Sequence, residues 1–213
     1  MTTKRAVLFD LDGVIIDSES LYTVFWNDMD RLYPTGVENF AKVIKGSTLP
    51  KIFETYFPDM EVREHINSLL VKFEAEMEAE LFPGICDMIE GLRAAGFATA
   101  IVTSSNLSKM QKLFARLPQI EKLMDVVLTD ADVEKSKPDP EGYRKAAERL
   151  GCRPEDCVVF EDSFAGIEAG RRAGGKVVGV ATTNAYSDIA PLVDLAVNNT
   201  NDVSAAGLLG LFD

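Results

Sequence analysis

The chain has 213 residues, enough for one domain of ordinary size and a smaller appendage. Its hydrophobic content of 46% can supply a core, and it has no run of about 18 apolar residues that would span a membrane. The formal net charge of −12 disfavours nucleic acid as a partner, and a single histidine excludes a multi-histidine metal site. Three scattered cysteines fit a reducing compartment, and the N-terminus shows no signal-peptide pattern. We therefore expect a cytoplasmic protein, a monomer, that binds neither membranes nor nucleic acids.

A helical segment follows the first predicted strand. The apolar run at residues 6–9 predicts a buried strand, and apolar residues then recur at helical spacing from Asp17 to about Leu81. Two turn sequences, Tyr33-Pro34-Thr35-Gly36 and Phe57-Pro58-Asp59, interrupt this segment, and its last part, His65–Glu80, strongly favours a helix. We predict about four helices and no strand in this segment.

Short apolar strands alternate with helices over the rest of the chain, which is typical of a parallel sheet covered on both faces. We predict strands at residues 98–102, 126–128, 157–160, 177–180 and 195–197. We predict helices at residues 85–95, 107–117, 140–150 and 163–173. The predicted fold is a doubly wound parallel, Rossmann-like α/β core formed by residues 1–16 and 82–213, with an inserted α-helical cap formed by residues 17–81.

Polar residues follow four of the predicted strands at their carboxyl ends, where open parallel sheets bind ligands. Asp10 and Asp12 end the first strand. Because alternate residues of an extended chain point the same way, these two carboxylates can converge on one spot. The polar residues after the other strands are Thr103, Ser104, Ser105 and Asn106, then Lys137, and finally Glu161 and Asp162.

These side chains together fit a phosphoryl group and a divalent cation. The four acids would repel one another unless a hard cation neutralised them, and an all-oxygen ligand set suits Mg²⁺. Hydroxyl and backbone N–H groups after residue 102 suit phosphate oxygens, and Lys137 adds a fixed positive charge. Each element alone has a structural explanation, such as capping a helix. Their joint placement at four strand ends favours a catalytic site.

The same residues resemble the haloacid dehalogenase superfamily of phosphotransferases. The matching motifs are Phe9-Asp10-Leu11-Asp12-Gly13-Val14, Val102-Thr103-Ser104-Ser105-Asn106, Ser136-Lys137-Pro138 and Glu161-Asp162-Ser163, followed by Gly166-Ile167. These motifs span almost the whole predicted core. The inserted helices resemble the cap of the β-phosphoglucomutase-like branch.

The resemblance implies phosphoryl transfer through an aspartyl-phosphate intermediate, with Mg²⁺ as cofactor. It makes Asp10 the nucleophile and a metal ligand, and it makes Asp12 the general acid and base, with its backbone carbonyl on the metal. It assigns Asp162 to the metal, with Glu161 as a direct or water-mediated partner. The groups assigned to the transferring phosphoryl group are Thr103, the Ser104 backbone N–H and Lys137.

Two activities compete within this resemblance. A phosphatase passes the phosphoryl group to water, whereas a mutase passes it to a second sugar hydroxyl. β-Phosphoglucomutases carry a histidine five residues after a cap aspartate, whereas this chain has Tyr22 at that spacing from Asp17. They also carry an arginine shortly after a Lys-Gly pair, whereas no arginine closely follows Lys45-Gly46 in this chain. We therefore predict a phosphatase of small phosphorylated metabolites, sugar or polyol phosphates, before a phosphosugar mutase. A non-catalytic protein on a retained fold is the third alternative.

Substrate specificity is expected to come from the cap. The candidate residues are Asp17, Glu19, Tyr22, Trp26, Lys45 and Gly46, with Asn106 from the core. Tyr22 and Trp26 have an alternative place in the hydrophobic core of the cap, and Lys45 has one on the surface.

Overall fold

The computed structural model describes residues 4–44, 47 and 49–212. The chain divides into two compact units, Met1–Ile16 with Leu81–Asp213 and Asp17–Glu80. Across the described part of the chain, we find no helix with the length and apolar character needed to cross a membrane.

Strands and helices alternate through most of the chain. The strands are β1 Ala6–Phe9, β2 Ile16–Asp17, β3 Glu80–Leu81, β4 Ala98–Val102, β5 Val126–Leu128, β6 Cys157–Glu161, β7 Lys176–Val180 and β8 Leu195–Val197. The helices are α1 Glu19–Leu32, α2 Phe40–Val43, α3 Leu49–Tyr56, α4 Met60–Glu76, α5 Ile85–Ala94, α6 Leu107–Arg116, α7 Pro118–Lys122, α8 Glu141–Leu150, α9 Phe164–Ala173, α10 Tyr186–Ile189 and α11 Ala205–Leu209.

The first unit is built on a six-stranded parallel sheet with the order β5-β4-β1-β6-β7-β8. Strands β1, β4 and β6 are buried along their whole length, which explains why nearly all of their residues are apolar. The predicted doubly wound α/β fold is confirmed.

Strand β1 lies at the point where the strand order reverses. Ala6 pairs with Ala98 on one side and with Cys157 on the other, and Phe9 pairs with Ile101 and Phe160. Because all three strands run in the same direction, the residues that follow them lie at one edge of the sheet. Open α/β sheets bind ligands at this place.

The second unit contains α1 to α4 and has its own hydrophobic core. Trp26 is buried in this core and makes ring contacts with Phe25, Phe40 and Phe57. Of the two places considered for Trp26, the hydrophobic core of the helical segment is therefore the one observed. The side chain also lines a cavity described below.

Several predicted boundaries are wrong by a few residues, and the prediction that the helical segment contains no strand is also wrong. Helix α4 begins at Met60 rather than His65, because the Asp59 side chain accepts hydrogen bonds from the N–H groups of Glu61 (2.8 Å) and Val62 (3.4 Å) and caps the helix there. It ends at Glu76, before the predicted end at Glu80, and Glu80–Leu81 forms β3, which pairs with β2 in a two-stranded sheet. The segment predicted to lack strands therefore ends in a short one.

Candidate active site

Asp10 follows β1 directly and meets the ammonium group of Lys137. The backbone N–H of Asp10 donates to Phe160 O on β6 (3.0 Å), which fixes the residue at the sheet edge. Lys137 Nζ donates to Asp10 Oδ1 (2.5 Å), to Val102 O (3.0 Å) and to Glu161 Oε1 (2.6 Å). An ammonium group has three N–H donors, so these contacts use all of them. Lys137 therefore joins the carboxyl ends of β1, β4 and β6.

Glu161 is fully buried and accepts hydrogen bonds on both carboxylate oxygens. Oε1 accepts hydrogen bonds from Lys137 Nζ and from the Tyr143 hydroxyl (2.8 Å). Oε2 receives the N–H groups of Asp162 (3.1 Å) and Ser163 (3.2 Å) and the Ser163 hydroxyl (3.0 Å), at the N-terminus of α9. A β-carbon on Gly166 would lie 1.7 Å from Oε1, so this position has room only for glycine. The environment of Glu161 is that of a buried anion with full hydrogen bonding.

The pKa values of this cluster reflect burial opposed by ion pairing. Burial raises the pKa of Asp10, the Lys137 ammonium lowers it and the Glu161 carboxylate raises it, and together these effects bring the pKa to about 7. Burial alone would lower the pKa of Lys137, but the Asp10 and Glu161 carboxylates outweigh it and hold that pKa well above its ordinary value. Lys137 therefore carries its charge at any physiological pH.

Asp12 has different neighbours from Asp10. The Ser105 hydroxyl donates to Asp12 Oδ2 (3.0 Å), and Lys109 Nζ lies 2.8 Å from both Asp12 oxygens. The Asp12 side chain is 28% exposed, whereas that of Asp10 is 12% exposed. The two acids that end β1 are therefore chemically distinct groups.

The loop after β4 contains the predicted phosphate-binding residues. Thr103 is buried, and its side-chain oxygen accepts the Ser105 N–H (3.0 Å). Ser104 is exposed beside it. Asn106, a predicted substrate contact, caps α6, where its Oδ1 accepts the Lys109 N–H (2.9 Å).

Asp162 and Gly13 approach each other closely. Gly13 has a φ of +78°, and a β-carbon there would lie 1.9 Å from Asp162 Oδ2. The loop after β7 supports Asp162: the Thr183 hydroxyl donates to Oδ2, and Asn184 Nδ2 donates to the backbone carbonyl (2.8 Å). A larger residue at position 13 would push this carboxylate out of place.

Three buried carboxylates lie close enough to hold a cation. Asp10, Glu161 and Asp162 each offer an oxygen, and these oxygens lie within 4.8 Å of one another. An all-oxygen donor set fits a hard divalent ion such as Mg²⁺. Because both oxygens of Glu161 already accept hydrogen bonds from the protein, Asp10 and Asp162 are better suited to direct coordination.

The second unit holds the predicted cap residues. The Tyr22 hydroxyl donates to Glu74 Oε1 (2.9 Å), and Glu19 lies at the start of α1. Both line a cavity of about 270 Å³ within this unit, together with Trp26. The predicted residues Lys45 and Gly46 lie outside the described residues.

Lys109, Tyr143 and Thr183 contact the predicted site residues but were not among the sequence-based candidates. Lys109 carries a weak signal, because it lies one helical turn after the Thr103–Asn106 loop and a basic residue is unusual in the first turn of a helix. Tyr143 and Thr183 carry none, because their contacts depend on tertiary packing.

The chain matches a known family and several known proteins over most of its length. A family model described as haloacid dehalogenase-like hydrolase matches residues 7–180. The chain is similar to pyrophosphatase PpaX of Bacillus velezensis, with 32% identity over 190 residues covering 86% of this chain and 87% of that protein. It is similar to hexitol phosphatase A of Escherichia coli, with 30% identity over 208 residues covering 94% and 93%. A crystal structure of β-phosphoglucomutase from Clostridium difficile shares the fold, with a TM-score of 0.73, 22% identity and coverage of 99% and 97%.

Proposed function

The chain belongs to the haloacid dehalogenase-like hydrolase family, and from this premise we propose that it is a phosphatase of small phosphorylated metabolites. The observation that carries the proposal is the difference between the two acids that end β1. Asp10 is buried against the Lys137 ammonium at 2.5 Å, and Asp12 is more exposed and lies against Ser105 and Lys109. A nucleophile held beside a fixed positive charge and a nearby acid with access to solvent are the two groups that phosphate ester hydrolysis needs.

The first step transfers the phosphoryl group to the protein. An Asp10 carboxylate oxygen forms a bond to phosphorus while the bond between phosphorus and the ester oxygen breaks. Asp12 gives a proton to the leaving oxygen, so the product leaves as an alcohol rather than an alkoxide. The groups of the Thr103–Ser104 loop bind the phosphoryl oxygens, where negative charge is concentrated. Lys137, whose N–H groups already contact Asp10, Val102 and Glu161, contributes its positive charge beside them.

The second step returns the protein to its starting state. A water oxygen attacks phosphorus while the bond between phosphorus and the Asp10 oxygen breaks. Asp12 takes a proton from this water, and inorganic phosphate leaves. The same carboxyl group therefore acts as acid in the first step and as base in the second.

The residues that would hold Mg²⁺ are Asp10 and Asp162, through their carboxylates, and Asp12, through its backbone carbonyl. Bound Mg²⁺ offsets the negative charge of the phosphoryl group and of the carboxylates around it. We assign Glu161 mainly to holding Lys137, because Lys137 and Tyr143 occupy one of its oxygens and the start of α9 occupies the other.

Sugar or polyol phosphates are the proposed substrate class. Their leaving groups are alkoxides that need a proton, which suits an aspartate at position 12. Similarity to hexitol phosphatase A extends over 94% of the chain. Similarity to pyrophosphatase PpaX makes pyrophosphate the necessary comparison substrate.

A mutase activity is the alternative, and one contact argues against it. Tyr22, where β-phosphoglucomutases carry a histidine, donates its hydroxyl to Glu74 within the helical unit (2.9 Å). The likeness to the Clostridium difficile mutase, at 22% identity, shows the fold alone.

A phosphate-release assay tests the proposal. Substrates are hexitol phosphates, glycerol phosphates, hexose phosphates and pyrophosphate, each with Mg²⁺ and with EDTA. We expect Mg²⁺-dependent phosphate release from sugar or polyol phosphates and its loss in Asp10→Asn. Borohydride quenching of a turnover mixture should convert residue 10 to homoserine, detected by mass spectrometry. Efficient conversion of β-glucose 1-phosphate to glucose 6-phosphate with negligible phosphate release would overturn the phosphatase assignment.

A further inference from the structure

Lys109 makes a two-point contact with the proposed acid and base. Its Nζ lies 2.8 Å from Asp12 Oδ1 and 2.8 Å from Oδ2, and its side chain is only 16% exposed. The Ser105 hydroxyl donates to the same carboxylate at 3.0 Å. Lys109 and Ser105 therefore restrain both the position and the rotation of the Asp12 carboxyl group.

Lys109 lies in the first turn of α6, where a positively charged residue is unfavourable. Lys109 is the third residue of α6, whose first turn contains no acidic residue. The N-terminus of a helix carries partial positive charge, so a lysine there is unfavourable, and fixing its long side chain also costs conformational entropy. Residues that break a local rule are expected at functional sites. Contact with Asp12 supplies the compensating attraction.

The loop after β4 places this lysine. Asn106 caps α6 through the Lys109 N–H (2.9 Å) and so fixes the start of the helix. Thr103 accepts the Ser105 N–H (3.0 Å) and so fixes the residue that shares Asp12 with Lys109. The loop that carries the proposed phosphate-binding residues thus also organises the neighbours of Asp12.

We propose that Lys109 is a positioning residue for Asp12, which it holds in place for proton transfer to and from the leaving-group oxygen. The two lysines then have separate tasks: Lys137 holds Asp10 and Glu161, and Lys109 holds Asp12. This inference rests on the proposed phosphatase function and extends it to a residue outside the motifs. General acid catalysis depends on geometry within fractions of an ångström, so loss of the restraint should slow proton transfer.

The test compares two leaving groups in Lys109→Met. An alkyl phosphate, such as a hexitol phosphate, needs a proton on its leaving oxygen, whereas p-nitrophenyl phosphate releases a stable phenolate. The measured quantity is kcat/KM, which covers the steps up to phosphorylation of Asp10. We expect a fall of about 10-fold to 100-fold for the alkyl phosphate and of about 3-fold or less for p-nitrophenyl phosphate. Ser105→Ala should change the ratio in the same direction by less, and it provides a second variant if Lys109→Met folds poorly.

Two controls separate positioning from other roles. Lys112→Met removes the same charge from an exposed position on the same helix and should leave the ratio of the two substrates unchanged. In an Asp12→Ala background, Lys109→Met should have little further effect on the ratio, because the group it positions is absent.

The outcomes are distinguishable. An equal fall for both substrates, a rise in activity, or an undiminished effect of Lys109→Met in the Asp12→Ala background would overturn the positioning role while leaving the phosphatase proposal intact. A wild-type protein that hydrolyses neither ester with Mg²⁺ would overturn the proposed function and this inference with it.

Discussion

Replacing Gly166 with alanine sets two physical effects against each other. Gly166 is the third residue of α9, and in a helix alanine is favoured over glycine by up to about 1 kcal/mol, so helix propensity alone predicts that Gly166→Ala stabilises the protein. The new β-carbon would lie 1.7 Å from Glu161 Oε1, however, which no side chain tolerates. Glu161 must therefore move.

The energetic consequence follows from the contacts that Glu161 loses. A long side chain often moves at little cost, but this carboxylate is fully buried and its Oε1 receives Lys137 (2.6 Å) and Tyr143 (2.8 Å). Hydrogen bonds to charged groups contribute about 1.5–3 kcal/mol each, so losing or bending both, less the gain in helix propensity, destabilises the protein by about 3 kcal/mol. Lys137 would also lose its contact with Glu161, so the rate of phosphate release should fall together with the stability.

Gly91 provides the matched control. It lies in α5, and a β-carbon there would meet no atom within 4 Å. Gly91→Ala should therefore raise the free energy of unfolding by about 0.5–1 kcal/mol, while Gly166→Ala lowers it. Urea unfolding of the two variants and the wild type measures both changes. Equal stabilisation by both substitutions would refute the stabilising role of the Glu161 hydrogen bonds.

Three further predictions test other parts of the site and fold. Lys137→Met should lower the rate of phosphate release by at least about 100-fold and destabilise the protein by about 3 kcal/mol or more, because it leaves two carboxylates buried without their cation; retained activity would contradict its role. Asp162→Ala should raise the Mg²⁺ concentration for half-maximal activity by at least about 10-fold, measured by Mg²⁺ titration, since a loss of one ligand of this kind weakens a hard-cation site; an unchanged titration would remove Asp162 from the ligand set. Burial raises the pKa of Asp125, but hydrogen bonds from the Thr99 N–H and Arg93 outweigh it and lower that pKa below 3.8. Asp125 therefore stabilises the fold above pH 3.8 and loses this effect as the pH falls. Its side chain is 38% exposed, so solvent screens the interaction. Asp125→Asn should lower the unfolding free energy by about 0.5 kcal/mol at about pH 7 and by less near about pH 3; the same loss of stability at both pH values would contradict the lowered pKa.

The sheet and the edge that carries the site could be predicted because local sequence determines them. Strands buried on both faces consist almost entirely of apolar residues, and β1 and β4 have the predicted bounds. Once the strands are parallel, the residues after each of them must lie at one edge, whatever the side chains do. This is why Asp10 and Lys137, 127 residues apart in sequence, could be expected to lie close together before their 2.5 Å contact was known.

The contacts that distinguish one acid from another could not be predicted. Tyr143 reaches Glu161 from the buried face of α8, and Lys109 reaches Asp12 across 97 residues of sequence. Nothing in the local pattern of either residue specifies which carboxylate it meets. The start of α4 was missed for a different reason, because Asp59 was interpreted as part of a turn and not as a helix cap.

The central place of β1 in the sheet has a consequence for synthesis of the protein. Ala6 pairs with Cys157, a residue made about 150 positions later, which at a ribosomal rate of about 5–20 residues per second means roughly 8–30 s. Before then β1, which is fully buried in the finished sheet, can pair with β4 on one side, but its other edge is open to association with other chains. Asp10 and Asp12 lie directly after it, and charges beside an apolar strand oppose such association. We therefore expect the two acids proposed for the chemistry to oppose association of β1 with other chains until β6 has been made.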